Sequence, residues 1–301
     1  MKQTERRSIL IGLIGAGIGG SLSPAMHERE GAKQGMTYIY RMVDLDELHL
    51  DQADLPDLLL AAERMGFTGL NITHPCKQAV VALLDELSDA ATKIGAVNTV
   101  VFSAGRRIGH NTDAWGFVES FSEEIADTHP CNRILLLGAG GAGTAIAHGL
   151  LTRYDCQLDI VESDPGRARE VRGRLEDVYG PGRVTLSENV AESIANADGV
   201  INATPVGMAL HPGCPIDVGL LRPGRWVADI IYFPLDTVLV KAARKAGCTV
   251  MTGGGMAVYQ AVRAFERFTG VRPDVQRMKA HFNSLVQTSD PRTEKVREVS
   301  I

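Results

Sequence analysis

Glycines at 138, 140 and 143 spell G-x-G-x-x-G. That spacing allows a tight turn, a close approach of backbone to pyrophosphate, and close packing of a helix on a strand. The same spacing recurs at Gly15, Gly17 and Gly20. Two polar clusters lie between the glycine runs. One is Asn71-Ile72-Thr73-His74-Pro75-Cys76-Lys77; the other is Asn98-Thr99, followed by His110-Asn111-Thr112-Asp113. A lysine or a carboxylate of this kind can hold or move a proton beside a carbon that exchanges hydride. Taken alone, either cluster also reads as a polar turn with a satisfied side chain, and spacing leaves both readings open.

The elements around the glycines separate the two runs. Residues 134–137 form an apolar run that ends at Gly138, and 142–151 continue in small, apolar helix formers. This is strand, turn, helix, the context a dinucleotide site requires. Gly138, Ala139, Gly140, Gly141, Ala142 and Gly143 would form the cradle, with the helix N-terminus donating N–H groups to phosphate. A second strand is expected over 157–161 and ends at Glu162. An acid there, about 20 residues past the glycines, suits the ribose hydroxyls. The earlier run has a strand at 9–14 but is followed by Ser21-Leu22-Ser23-Pro24. Pro24 restricts Ser23 to extended backbone and favours a helix beginning at or after it. A flexible loop presenting two hydroxyls is expected, not a turn entering a helix.

Elsewhere, strands are expected at 38–43, 69–73, 96–102, 183–186, 199–202, 226–230 and 249–251. Helices are expected at 55–65, 78–87, 115–125, 167–178, 190–196, 237–246, 256–269 and 273–287. Gly253-Gly254-Gly255 reads as a hinge. The alternation defines an α/β protein: an N-terminal α/β substrate domain with an open sheet, and a Rossmann-type doubly wound nucleotide-binding domain. The expected boundaries are 1–113 with the C-terminal helices at 255–287 for the first domain and 114–254 for the second. A frayed tail is expected over 288–301.

The chain has 301 residues, with 31 basic and 36 acidic side chains and a net charge of -5. This mild balance, without basic runs, argues against nucleic-acid and membrane-surface partners. Lys2, Arg6 and Arg7 before an apolar run imitate a secretory leader. Glu5, Gly12, Gly15 and the serines near the cleavage zone favour a first buried strand instead. No apolar run approaches the roughly 18 residues of a membrane span. Five scattered cysteines with no C-x-x-C indicate neither a disulfide framework nor a zinc site, and a reduced, cytoplasmic setting is expected. No metal site is expected.

Several segments together resemble the shikimate dehydrogenase and quinate/shikimate dehydrogenase family over nearly the whole chain. They are Ser21-Leu22-Ser23-Pro24 with His27, Asn71 to Lys77, Gly95-Ala96-Val97-Asn98-Thr99 and Asn111-Thr112-Asp113. Further along come Gly138 to Gly143, Asn202-Ala203-Thr204-Pro205-Val206-Gly207-Met208, and Gln260-Ala261 leading to Phe268-Thr269-Gly270. The resemblance implies that Lys77 takes the proton from a ring hydroxyl as hydride leaves, while Asp113 bonds the same hydroxyl and holds Lys77. It implies that Ser21 and Ser23 bond the substrate carboxylate, and that Asn71, Thr73, Asn98 and Gln260 read ring hydroxyls. Tyr232 resembles the family tyrosine at the mouth of the cleft, with packing as its other reading. Asn202, Ala203, Thr204, Pro205 and Gly253 would join the glycine turn around the coenzyme.

Three departures refine this. Glu162-Ser163-Asp164 stands where NADP-using members carry Asn-Arg-Thr, so NAD is the expected coenzyme and Glu162 disfavours NADP, with Arg167 nearby. Glu28 follows the motif histidine in place of asparagine, which resembles the NAD-dependent catabolic branch. Ser23 keeps the hydroxyl typical of shikimate-specific members. The expected function is an NAD-dependent shikimate dehydrogenase acting as a monomer or homodimer. The alternatives are a quinate or aminoshikimate dehydrogenase on the same scaffold, or an inactive NAD-sensing protein.

Overall fold

The computed structural model describes residues 7–288. Lys2, Glu5 and Arg6, and all of the expected tail except Thr288, lie outside these residues. The chain divides into two compact units. Within the described residues, the first comprises 7–88, 97–110 and 261–288, and the second comprises 89–96 and 111–260.

The first unit opens with β1 (Ser8–Gly15), α1 (Ser23–Lys33) and β2 (Thr37–Asp44), followed by the short α2 (Leu45–Leu48), α3 (Leu55–Arg64) and β3 (Gly69–Ile72). β1 is apolar almost throughout, as a parallel strand covered on both faces must be. It pairs in parallel with β2 on one side and β3 on the other. β4 (Glu86–Leu87) follows, then α4 (Asp89–Ile94) of the second unit, then β5 (Thr99–Ser103) and β6 (Arg106–His110). The sheet order is β2-β1-β3-β5-β6-β4, with β5 antiparallel to both of its neighbours. Ile9, Ile11, Leu13, Tyr38, Tyr40, Phe265 and Phe268 form the core on one face of β1 and β2.

The second unit contains α5 (Asp113–Phe121), β7 (Arg133–Leu137), α6 (Gly141–Arg153), β8 (Gln157–Val161), α7 (Pro165–Tyr179), β9 (Val184–Leu186), α8 (Val190–Asn196), β10 (Gly199–Asn202), β11 (Trp226–Asp229), α9 (Val238–Lys245) and β12 (Thr249–Thr252). α10 (Gly253–Thr269) and α11 (Val275–Thr288) complete the chain, and the division between units falls within α10. The sheet is wholly parallel in the order β12-β11-β10-β7-β8-β9. The strands run outward from β7 to β9, and the chain then returns to β10 on the other side of β7. This is a doubly wound sheet whose order reverses between β7 and β10, the place where such sheets bind ligands beyond their strand ends.

Four expectations need correction. The helix expected over 78–87 is a 3-10 turn, Ala79–Leu83, followed by β4. Sheet pairing overrides helix propensity there, since Asp85 N–H donates to the Arg107 carbonyl at 3.0 Å. β6 escaped the reading because its turn, Ala104-Gly105, is an unobtrusive hairpin with φ of 50° and 73°. The glycines at 253–255 form no hinge but the first turn of α10. A Cβ on Gly253 would lie 2.3 Å from the Ile230 carbonyl oxygen, so close packing requires that glycine. Finally, α1 begins at Ser23 rather than after it, with Pro24 in its first turn.

Candidate active site

The later glycine turn is built as its spacing demands. Gly138 follows β7 with φ +89°, and a Cβ there would press on the Ala203 carbonyl oxygen at 2.9 Å. Ala203 directly follows β10, so this contact marks the point where strand order reverses. A Cβ on Gly143 would sit 2.1 Å from the Gly138 oxygen, whereas one on Gly140 would meet nothing within 4 Å. The turn is therefore tight where helix meets strand and open where a phosphate would approach. Gly140 caps α6 without a side-chain hydrogen bond, leaving the first-turn N–H groups for an anion. These features fit a dinucleotide pyrophosphate.

Glu162 sits at the end of β8 with its side chain 5% exposed. Its Oε2 accepts the Ala139 N–H at 2.8 Å, and its Oε1 accepts the Asp164 N–H and the Ser163 hydroxyl, both at 3.1 Å. Burial alone would raise this carboxyl. The three hydrogen bonds, with Arg167 at 3.6 Å, outweigh burial and hold it below the usual carboxylate range. The result is a fixed negative charge beside the glycine turn. Arg167 is half-exposed and also lies 3.8 Å from Asp164.

The loop after β10 is organised from within. Asn202 is fully buried. Its amide donates to the Val206 carbonyl at 3.2 Å and to Asp229 at 3.0 Å, and its Oδ1 accepts from the Thr204 N–H at 3.0 Å and hydroxyl at 2.7 Å. All the bonding capacity of this amide goes into shaping the loop. Asp229, which the sequence reading missed, closes the network by accepting from the Ile231 N–H at 3.1 Å and the Thr237 hydroxyl at 2.7 Å. Burial raises its carboxyl above the usual range, and these bonds oppose that rise. Its signal was an acid ending the otherwise apolar run Trp226–Asp229. Pro205 and Tyr232 are exposed, and Gly253 opens α10. Asp113 is buried at the start of α5, where its N–H donates to Asn111 Oδ1 at 3.0 Å. Gln260 lies on α10 where that helix packs on α5 at Gly116, whose Cβ would be 2.9 Å from the Gln260 N atom.

The first unit gathers the other polar residues at the ends of β1, β3 and β5. Ser21 and Ser23 are partly buried, with the Ser23 N–H donating to Ser21 Oγ at 3.3 Å. The loop that carries them is pinned rather than flexible. Asp44, at the end of β2, accepts the Gly17 N–H at 3.0 Å and the Ile18 N–H at 2.8 Å. The Ala16 N–H donates to the His74 carbonyl at 2.9 Å. Asp44 also escaped the sequence reading, although it ends the second strand as Glu162 does. Thr73 starts the turn carrying the cis His74–Pro75 bond, and the Lys77 carbonyl accepts the Val97 N–H at 2.8 Å. Asn71, Asn98 and Thr99 form one hydrogen-bonded cluster. Glu28 accepts the Tyr40 N–H at 2.9 Å on the edge strand, and His27 is buried against the Tyr38 hydroxyl at 2.9 Å.

Among the described residues no cluster of three metal-binding side chains occurs, no helix is long and apolar enough to cross a membrane, and all five cysteines are free. The fold and the later glycine turn together define an α/β protein of the dinucleotide-binding class. The family model "Shikimate dehydrogenase substrate binding domain" matches residues 13–100, and "Shikimate 5'-dehydrogenase C-terminal domain" matches residues 253–281. A shikimate dehydrogenase (NADP(+)) of Streptomyces avermitilis is 49% identical over 284 residues, covering 94% of this chain and 97% of its own. A quinate/shikimate dehydrogenase (NAD(+)) of Corynebacterium efficiens is 47% identical, covering 92% and 99%. The structure of quinate dehydrogenase from Corynebacterium glutamicum in complex with NAD superposes with a TM-score of 0.86 at 45% identity, covering 93% of this chain and all of that one. The chain belongs to the shikimate/quinate dehydrogenase family of nicotinamide-dependent oxidoreductases.

Proposed function

We propose that this enzyme is an NAD-dependent shikimate dehydrogenase that interconverts shikimate and 3-dehydroshikimate, with quinate as a second substrate. The observation that carries the coenzyme choice is Glu162: a buried, hydrogen-bonded carboxylate accepts from ribose hydroxyls and repels a 2′-phosphate. Gly138 to Gly143 would hold the pyrophosphate, with Ala203, Thr204, Pro205 and Gly253 around the remainder and Asn202 shaping the loop beneath. When bound, the coenzyme supplies the acceptor for a hydride. Lys77 takes the proton from the reacting hydroxyl, and Asp113 bonds that hydroxyl and orients Lys77. Ser21 and Ser23 donate to the substrate carboxylate. Asn71, Thr73, Asn98 and Gln260 bond the ring hydroxyls, and Tyr232 reaches the carboxylate. Residues 1–113 with the helical residues 255–287 bind substrate, and residues 114–254 bind coenzyme. Quinate as a second substrate draws support from the relatives named for it.

Initial rates with shikimate and with quinate, each against NAD and NADP, test the proposal. The pair shikimate and NAD should give the highest kcat/KM. A higher value with NADP would overturn the role given to Glu162, and activity with neither acid would overturn the substrate.

A further inference from the structure

Tyr40 lies on β2 and belongs to none of the segments that carry the family resemblance. Its ring is buried, with the His27 ring centroid 5.1 Å away, and its N–H is held by Glu28. Its hydroxyl lies 2.8 Å from Asn71 Oδ1. The amide nitrogen of Asn71 lies 3.2 Å from the Asn98 carbonyl and 3.1 Å from Thr99 Oγ1. A carbonyl oxygen only accepts, so the Asn98 carbonyl fixes which end of the Asn71 amide is nitrogen. The other end is then the oxygen, and Tyr40 must donate to it. Thr99 takes an Asn71 N–H and passes its own hydroxyl hydrogen to Asn98 Oδ1 at 3.0 Å. Both amide hydrogens of Asn71 are thereby engaged, and one lone pair of Oδ1 is occupied. What Asn71 can still offer a ligand is a single acceptor site.

We infer that Tyr40 is a positioning residue that locks Asn71 as a hydrogen-bond acceptor, so that this subsite demands a ring hydroxyl and rejects a ring ketone. The inference rests on the reading of Asn71 as a substrate ligand and adds a chemical sense to it. The oxidised carbon becomes a carbonyl, which cannot donate. Asn71 therefore reads a hydroxyl that survives the reaction. Without the Tyr40 hydroxyl the amide loses one of the three groups that hold its orientation, the only one on its oxygen.

The test is a double-mutant cycle on the full-length enzyme with shikimate and NAD. Tyr40→Phe keeps the ring and removes the donor. It should raise the KM for shikimate about three- to tenfold, with kcat within about twofold and the dissociation constant for NAD unchanged. In an Asn71→Ala background the same change should add nothing. Thr99→Val loosens the amide from its other end and should reproduce the pattern, which covers a Tyr40→Phe protein that does not fold. A normal KM in Asn71→Ala would sink the underlying role of Asn71. A raised KM in Asn71→Ala with a normal KM in Tyr40→Phe, or an undiminished Tyr40→Phe effect in the Asn71→Ala background, would sink the role of Tyr40 alone. A lowered melting temperature with no change in KM would make Tyr40 purely structural.

Discussion

The two glycine turns of this chain share a spacing and a topology but differ in what their N–H groups face. Each follows a parallel strand, precedes a helix, and meets an acid at the end of the next strand. At the earlier turn Asp44 occupies the N–H groups of Gly17 and Ile18. At the later one Glu162 takes only that of Ala139, and the helix begins at Gly141, directly beyond the capping Gly140. Helix α1, by contrast, starts at Ser23, three residues beyond Gly20. At the earlier turn the backbone N–H groups a phosphate would need are thus already taken by a side chain. The third glycine tells the same story, since a Cβ would clash at 143 and meet nothing at 20. Identical spacing therefore does not make identical sites: the position of the acid and the start of the helix decide.

This contrast can be broken experimentally. Lys77→Ala belongs to the side of the earlier turn and should lower kcat by about 10² to 10⁴ while leaving NAD affinity intact. Near-normal turnover would remove Lys77 from the proton step. Gly143→Ala should weaken NAD about 100-fold by overpacking against the Gly138 carbonyl, whereas Gly20→Ala should change neither NAD affinity nor melting temperature. Equal effects at both positions, read by NAD titration, would erase the distinction. Asp44→Ala frees two N–H groups and should raise the shikimate KM about tenfold with NAD affinity unchanged. Tighter binding of NAD to that variant would mean the earlier turn can seat a coenzyme after all. Glu162→Ala with Ser163→Arg should raise the ratio of kcat/KM for NADP over NAD by about tenfold, and an unchanged ratio would place selection elsewhere.

The helices behind the two turns supply the smallest effect. Each carries a buried histidine, His27 on α1 and His148 on α6, and burial pushes their imidazoles down to about 3 and about 4 from an ordinary 6.5. The folded protein keeps both rings neutral where the unfolded chain protonates them. Stability should therefore fall as pH drops below about 6.5 and continue falling toward 4. Thermal melts from pH 7.5 to 4.5 should show this decline, and His27→Gln and His148→Gln should each make it shallower. Parallel curves for wild type and both variants would show that other groups set the acid limit.

The nucleotide unit was the more legible in sequence. Its central strands are mostly apolar, and β7, β8 and β10 fall where that pattern put them, because a strand buried on both faces has few alternatives. The mixed sheet was harder. β6 is a short, partly exposed strand held by its hairpin with β5, and the two-residue β4 exists only through its pairing with β6, of Glu86 with Ile108 and Leu87 with Gly109. No local signal records that partnership. Among the polar residues, those repeated in family motifs were readable by type. Asp44, Asp229 and Tyr40 were not, because they act on backbone groups or on other side chains across the sheet, and that relation exists only once the strands are laid side by side.

The bond from Ala139 N–H to Glu162 has an evolutionary corollary. The side chain to which we assign the preference for NAD also braces the glycine turn after β7. Exchanging it alone would leave an unsatisfied amide under either coenzyme. A descendant of this chain that switched preference would need a compensating acceptor at the same spot, arriving earlier or together with the new positive charge. On the proposed role of Glu162, coenzyme choice would be inherited as a block of residues, not as a letter.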